Sequence, residues 1–170
     1  MDENTKILIK NPTRFEVGFN CLNHAQVFNF QPGQTIPVKW ELLEDAAFGR
    51  GFRQLIEKGY LKILPTNLNY NEIMEELQFS HLVKKIEKSL SYDEAEKMLK
   101  IVPLSTQYSK IKDNLKNGTE ATKKNIVEAA IKIKLKDYTV NEAIEKATGI
   151  NVIKTLTLQE APKNIKNPTE

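Results

Sequence analysis

The chain has a single cysteine, Cys21, and only two histidines, His24 and His81, among its 170 residues. One thiol closes no internal bridge, so nothing in the sequence points to an oxidising compartment. A zinc site needs about four converging ligands, and His81 belongs to a different element from Cys21 and His24. Cys21 beside His24 also fits a nucleophile with its base; the plainer reading is a small apolar residue in a strand or turn. His81 follows Ser80, where a helix is expected to start, and reads as a surface or capping residue. Glycine-rich phosphate loops, dinucleotide fingerprints and zinc-helix motifs are all missing. Carboxylate pairs such as Glu75-Glu76 sit on polar helix faces. Long apolar stretches are missing too: runs like Ile7-Leu8-Ile9 fall far short of the roughly 20 residues of a membrane span. The acidic start Met1-Asp2-Glu3-Asn4 carries no export address. These absences predict a protein that is not an enzyme and has no catalytic, cofactor or metal site.

The remaining composition is that of a soluble globular chain. Apolar residues make up 40% and charged residues 28%, and the mean hydropathy is −0.46. A chain of this length buries roughly 68–70% of its unfolded surface and needs no staple.

Strand signals fill the first third. Lys6–Lys10 is a short apolar run closed by Asn11-Pro12. In Arg14–Asn20 a period of two places Phe15, Val17 and Phe19 on one sheet face. Val27–Phe30 follows, and Gln31-Pro32-Gly33-Gln34 has the form of a type II turn before Thr35 and Ile36. At Pro37 the period changes, with Leu42, Leu43, Ala46 and Ala47 marking a helix face. Gly49 and Gly51 are expected to interrupt it, a short helix to resume at Leu55-Ile56, and Gly59 to cap that helix. Tyr60–Leu64 returns as a strand.

From Asn67 onward the spacing is helical. Capping boxes are expected at Asn69/Glu72, Ser91/Glu94 and Thr139/Glu142, and Thr119 is a further cap. Apolar stripes through Ile73, Leu82, Ile86, Ala95, Leu104, Ile111 and Ile126 predict about five packed helices. The alternating Ile131–Lys136 stretch is read as helix through about Lys134. The fold expected is therefore α+β: a small antiparallel sheet with one or two helices over residues 1–66, a helical bundle over 67–158, and a flexible tail over 159–170.

The chain carries 25 basic and 22 acidic residues, a mild excess. Its densest basic group is Lys123, Lys124, Lys132, Lys134 and Lys136, a candidate face for an anionic partner such as nucleic acid. Arg50-Gly51-Phe52-Arg53 is an arginine–aromatic cluster, and Arg50, Phe52 and Arg53 are candidate partner-binding residues. Asn141–Leu156 invites a helix-turn-helix reading around Gly149. That reading fails at Glu145, where a carboxylate would fall in the close contact between the two helices.

Two segments resemble structural proteins of tailed bacteriophages. One is Lys10-Asn11-Pro12, Val17-Gly18-Phe19 and Phe30-Gln31-Pro32-Gly33-Gln34-Thr35-Ile36 leading into a helix. The other is Ala143-Ile144-Glu145-Lys146-Ala147-Thr148-Gly149-Ile150-Asn151-Val152-Ile153-Lys154. The resemblance covers about half the chain. It implies a non-enzymatic virion component of the capsid head, made in the host cytoplasm and bound in many copies to the major capsid protein or other virion proteins. The alternative is a phage-encoded nucleic-acid-binding protein using the lysine face. No membrane partner is expected.

Overall fold

The computed structural model describes residues 1–65, 70–83, 89–101 and 105–160. Its architecture is α+β, with small antiparallel sheets first and a helical region after them.

β1 (Lys6–Lys10) lies between two neighbours, β4 (Thr35–Lys39) and β5 (Lys62–Ile63), antiparallel to both. The pairings Ile7↔Val38 and Ile9↔Ile36 put the two isoleucines on the buried face, as strand alternation requires. β2 (Val17–Asn20) and β3 (Val27–Phe30) form a separate hairpin. Val17 and Phe19 are buried, and Phe15 is half-buried just ahead of the strand. Gly33, at φ +73°, completes the expected turn, and Gln34 N–H donates to Gln31 O at 3.0 Å.

Pro37 does not open the helix. Pairing with β1 extends the strand to Lys39, and β4 is an edge strand, where proline is tolerated. α1 (Trp40–Phe48) follows directly. α2 begins earlier than expected, at Arg50, and runs to Glu57. Gly49 alone, extended at φ −80° and ψ 136°, makes the break between the helices. Gly51 is absorbed into the first turn because burying Phe52 and Ile56 on one face outweighs its roughly 1 kcal/mol helix penalty. At the far end Tyr60 N–H donates to Leu55 O and Gly59 N–H to Ile56 O, a Schellman cap with Gly59 left-handed at φ +77°.

The first core gathers Ile7, Ile9, Phe19, Phe30, Leu43 and Phe52, and extends to α3 (Tyr70–Glu76) and beyond through Ile73, Met74, Phe79 and Leu82. Those four residues pack with the sheets, not with the later helices. His81 is exposed on a short 3-10 turn.

The second core is built around α6 (Glu120–Lys132), which touches α4 (Tyr92–Lys100), α5 (Ser105–Asn117), α7 (Tyr138–Thr148) and α8 (Val152–Glu160). Ser91 caps α4 with the expected box: Glu94 N–H donates to its Oγ at 3.4 Å, and its own N–H donates to Glu94 Oε2 at 2.8 Å. Ser91→Ala is expected to lower stability by about 1 kcal/mol, seen as a reduced denaturant midpoint with unchanged slope. Thr119 caps α6 by accepting from Thr122 N–H at 3.1 Å.

Two helix ends differ from expectation. Asp137, not Thr139, caps α7, accepting from Val140 N–H at 2.9 Å; its carboxylate sits where the first free amides point. α6 ends at Lys132, two residues early, because Lys134 turns left-handed at φ +51°. Leu135 N–H then donates to Ala130 O, and the Leu135 side chain is buried, which offsets the strain at Lys134. The expected cap at Asn69, the stripe residues Ile86 and Leu104, and the tail containing Pro162 and Pro168 lie outside the described residues.

Candidate functional site

Arg50, Phe52 and Arg53 do not share a surface. Phe52 is 2% exposed, its ring 4.7 Å from Phe19 and 6.2 Å from Phe79, so it offers a partner nothing. Its place four residues before Ile56 on an amphipathic helix puts it on the inner face. Arg53 lies 5.0 Å over the Phe79 ring and donates to Ala47 O and Gln78 O, and only Arg50 stands fully in solvent.

The five lysines are divided among separate environments. Lys124 Nζ lies 3.7 Å over the Phe15 ring. Lys132 donates to Glu96 Oε2 at 2.9 Å and sits 5.5 Å from the Tyr92 ring centroid. Pairing with Lys100 first, and with Lys132 next, holds the Glu96 carboxyl down to about 2. Lys134 and Lys136 lie beyond the helix end beside Asp137. Lys123 faces elsewhere, into a cleft of about 520 Å³ between α5 and α7.

That cleft is walled by Lys112, Lys116, Lys123 and Lys146, residues from three helices. Leu115 and Ala147 supply apolar lining and Tyr108 a phenol. Lys146 donates to Glu142 at 2.7 Å. Among the described residues, Lys112, Lys116 and Lys123 form no ion pair. Lys112 and Lys116 were not among the lysines the sequence singled out, although their spacing of four residues, which puts them on one helix face, holds half of this arrangement. The other half depends on how α6 and α7 meet α5.

Cys21 and His24 are close in sequence but not partners. The Cys21 thiol donates to Leu42 O at 3.5 Å, and burial, then Asp45, pushes its pKa up. His24 instead bridges two carboxylates of α1, with Nε2 2.9 Å from Glu41 Oε1 and Nδ1 3.3 Å from Asp45 Oδ2. Asn23 adds two bonds to buried Asp45, from its N–H at 2.9 Å and its side-chain amide at 2.6 Å. The β2–β3 loop is thereby fastened to α1. Among the described residues no group of three or more acidic, histidine or cysteine side chains is placed to hold a metal.

The Asp45 and Glu41 contacts raise the His24 pKa above its ordinary 6.5. The Asn23 N–H, followed by the His24 and Asn23 side chains, lowers that of Asp45 against its burial. Protonated His24 therefore contributes fully below its ordinary value, and that contribution is lost as pH rises through the raised one. Asp45 contributes above its ordinary value and ceases to as pH falls through the lowered one. Stability of wild type is expected to decline as pH rises above about 6.5 and through the raised value, and His24→Gln to flatten that slope, read from denaturant midpoints against pH. An unchanged slope in the variant refutes the fastening role.

Glu145 is not in the contact between α7 and α8. It is exposed and accepts from Asn151 Nδ2 at 3.0 Å, while Gly149 closes α7 left-handed at φ +73°. Val152 docks the next helix and Leu156 packs behind it. The outward residues of α8 include Ile153, Lys154 and Leu158, with Lys154 the one cation among them. No described helix is long and apolar enough to cross a membrane. Comparison with family models, curated proteins and solved structures finds no significant match.

Proposed function

We propose that this chain is a non-enzymatic structural component of a tailed-phage virion, an auxiliary or decorating protein of the capsid head that binds the major capsid protein in many copies. The observation that carries the reading is the use of its buried polar side chains as joints. Asn11 Nδ2 donates to the carbonyls of Phe15, Phe30 and Gln31. Asn125 Nδ2 donates to Pro12 O and Leu90 O, and Asn141 Nδ2 to Leu135 O. Thr119 and Thr122 bond each other at the head of α6. Such bonds stiffen a shape and leave the surface for contact, which suits a subunit that packs against a repeating lattice. The phage-like segments support the same reading: Gly33 and Gly149 sit at turns that aim the elements after them.

Quantitative mass spectrometry of purified particles assembled with this chain present tests it. A fixed ratio to the major capsid protein is expected, and absence from particles ends the proposal. The nucleic-acid reading is weaker because its lysines are dispersed. DNA affinity that falls steeply with salt and vanishes when all five become glutamine would restore it.

A further inference from the structure

We infer that copies of this chain associate head to tail, with the Phe48 corner of one seated in the lysine-walled cleft of the next. The inference is independent of which particle, if any, the protein occupies.

Two features at different places on the surface complement each other. Phe48, the last residue of α1, is 76% exposed, the highest value among the described large apolar side chains. Leu22, 62% exposed, packs on the neighbouring Gly49 and widens the apolar knob. Glu44 and Glu76 border Phe48. Arg53, at the same edge, is engaged with the carbonyls of Ala47 and Gln78, and the terminal amine of Met1 lies 3.6 Å from Glu76. The cleft is the counterpart: an apolar lining at Tyr108, Ala143 and Ala147, all half-buried, inside a rim of Lys112, Lys116, Lys123 and Lys146, with Glu142 the one carboxylate there among the described residues.

Apolar surface thus meets apolar surface, and the Glu44 carboxylate, in no ion pair among the described residues, meets ammonium groups. Phosphate-backbone binding would use the rim and leave the lining empty. The wider charge division favours the same orientation. Residues 1–83 carry eight basic and ten acidic side chains, and residues 84–170 seventeen and twelve. Because knob and cleft are different patches, the contact is heterologous, and successive copies build a ring or an open row.

Sedimentation velocity on the full chain tests this, with circular dichroism confirming that each variant is folded. All the substituted residues are at the surface. The wild-type mass is expected to rise with concentration, and less so at about 1 M salt than at about 0.1 M. Lys112→Glu with Lys116→Glu keeps the knob and spoils the cleft; Phe48→Ser with Glu44→Gln does the reverse. Each variant alone is expected to lose at least about tenfold in association. Mixed, they are expected to form a one-to-one dimer that grows no further, since one competent end of each remains. A wild-type chain that stays monomeric, a single variant that associates normally, or a mixture that does not pair overturns the inference. So does a monomeric chain whose cleft lysines instead bind poly-L-glutamate or an oligonucleotide.

Discussion

Phe52→Ala is expected to destabilise the protein by about 3–5 kcal/mol, the largest effect of any single side-chain truncation considered. The ring lies against Phe19 and Phe79 with Phe30 stacked beyond Phe19. Removing it opens a cavity where the hairpin, α2 and the segment after α3 meet. The lost area and the unfilled volume both count, because three separate elements cannot collapse together into the space. Phe48→Ala is the control. Its side chain is largely in solvent, and truncation is expected to change stability by no more than about 0.5 kcal/mol. Urea denaturation of both variants checks the pair. Equal, small effects would mean that Phe52 is not internal.

Gly59→Ala is expected to cost about 2–4 kcal/mol, combining left-handed backbone strain of about 1–2 kcal/mol with damage to the cap beside it. A Cβ at Gly59 meets the Oγ1, Cβ and Cγ2 of Thr119. That side chain is buried and is itself the cap of α6, so it cannot swing away without releasing Thr122 N–H. Gly33 provides the comparison. Its φ is +73°, nearly the same, yet a Cβ there meets nothing within 4 Å. Gly33→Ala therefore measures the strain alone and is expected to cost about 1–2 kcal/mol. The difference between the two variants isolates the clash. If they cost the same, the close approach of the α2 end to the α6 start has no energetic weight.

Much of the fold was legible because local signals agreed with global packing. The β1 run, the Gly33 turn and the Ser91 box each follow from short-range chemistry, and each stands where the spacing placed it. Misreadings arose where a distant contact outweighed a local preference. Gly51 resembled a helix breaker until Phe52 found Phe19, more than thirty residues earlier in the chain. Lys134 turned left-handed because Leu135 was buried, a fact that alternation along the segment does not contain. The capping signal at Thr139 was sound chemistry, displaced by a better acceptor two residues upstream.

Candidate sites were less legible, for a related reason. A run of lysines along the chain suggests one charged face, but Lys123 and Lys132 are nine residues apart, half a revolution on an α-helix. They face opposite sides, Lys132 toward Glu96 and Lys123 into the cleft. The cleft draws on α5, α6 and α7 and has no contiguous signature. Cys21 and His24 show the converse. Their proximity in sequence admits a reactive pair beside the plainer reading of Cys21 as a small apolar residue, while α1 presents each with a different acceptor.

The Pro12 carbonyl accepts from Tyr92 N–H and Asn125 Nδ2, and the Lys58 carbonyl accepts from Ala121 N–H. Asn125 and Pro12 are separated by 113 positions along the chain. Melting either hydrophobic cluster alone would break these bonds and uncover the surface it shares with the other. Heat should accordingly take the whole molecule apart in one cooperative step, and a truncation that keeps only the sheets should exchange the Pro12 and Lys58 carbonyl bonds for bonds to water.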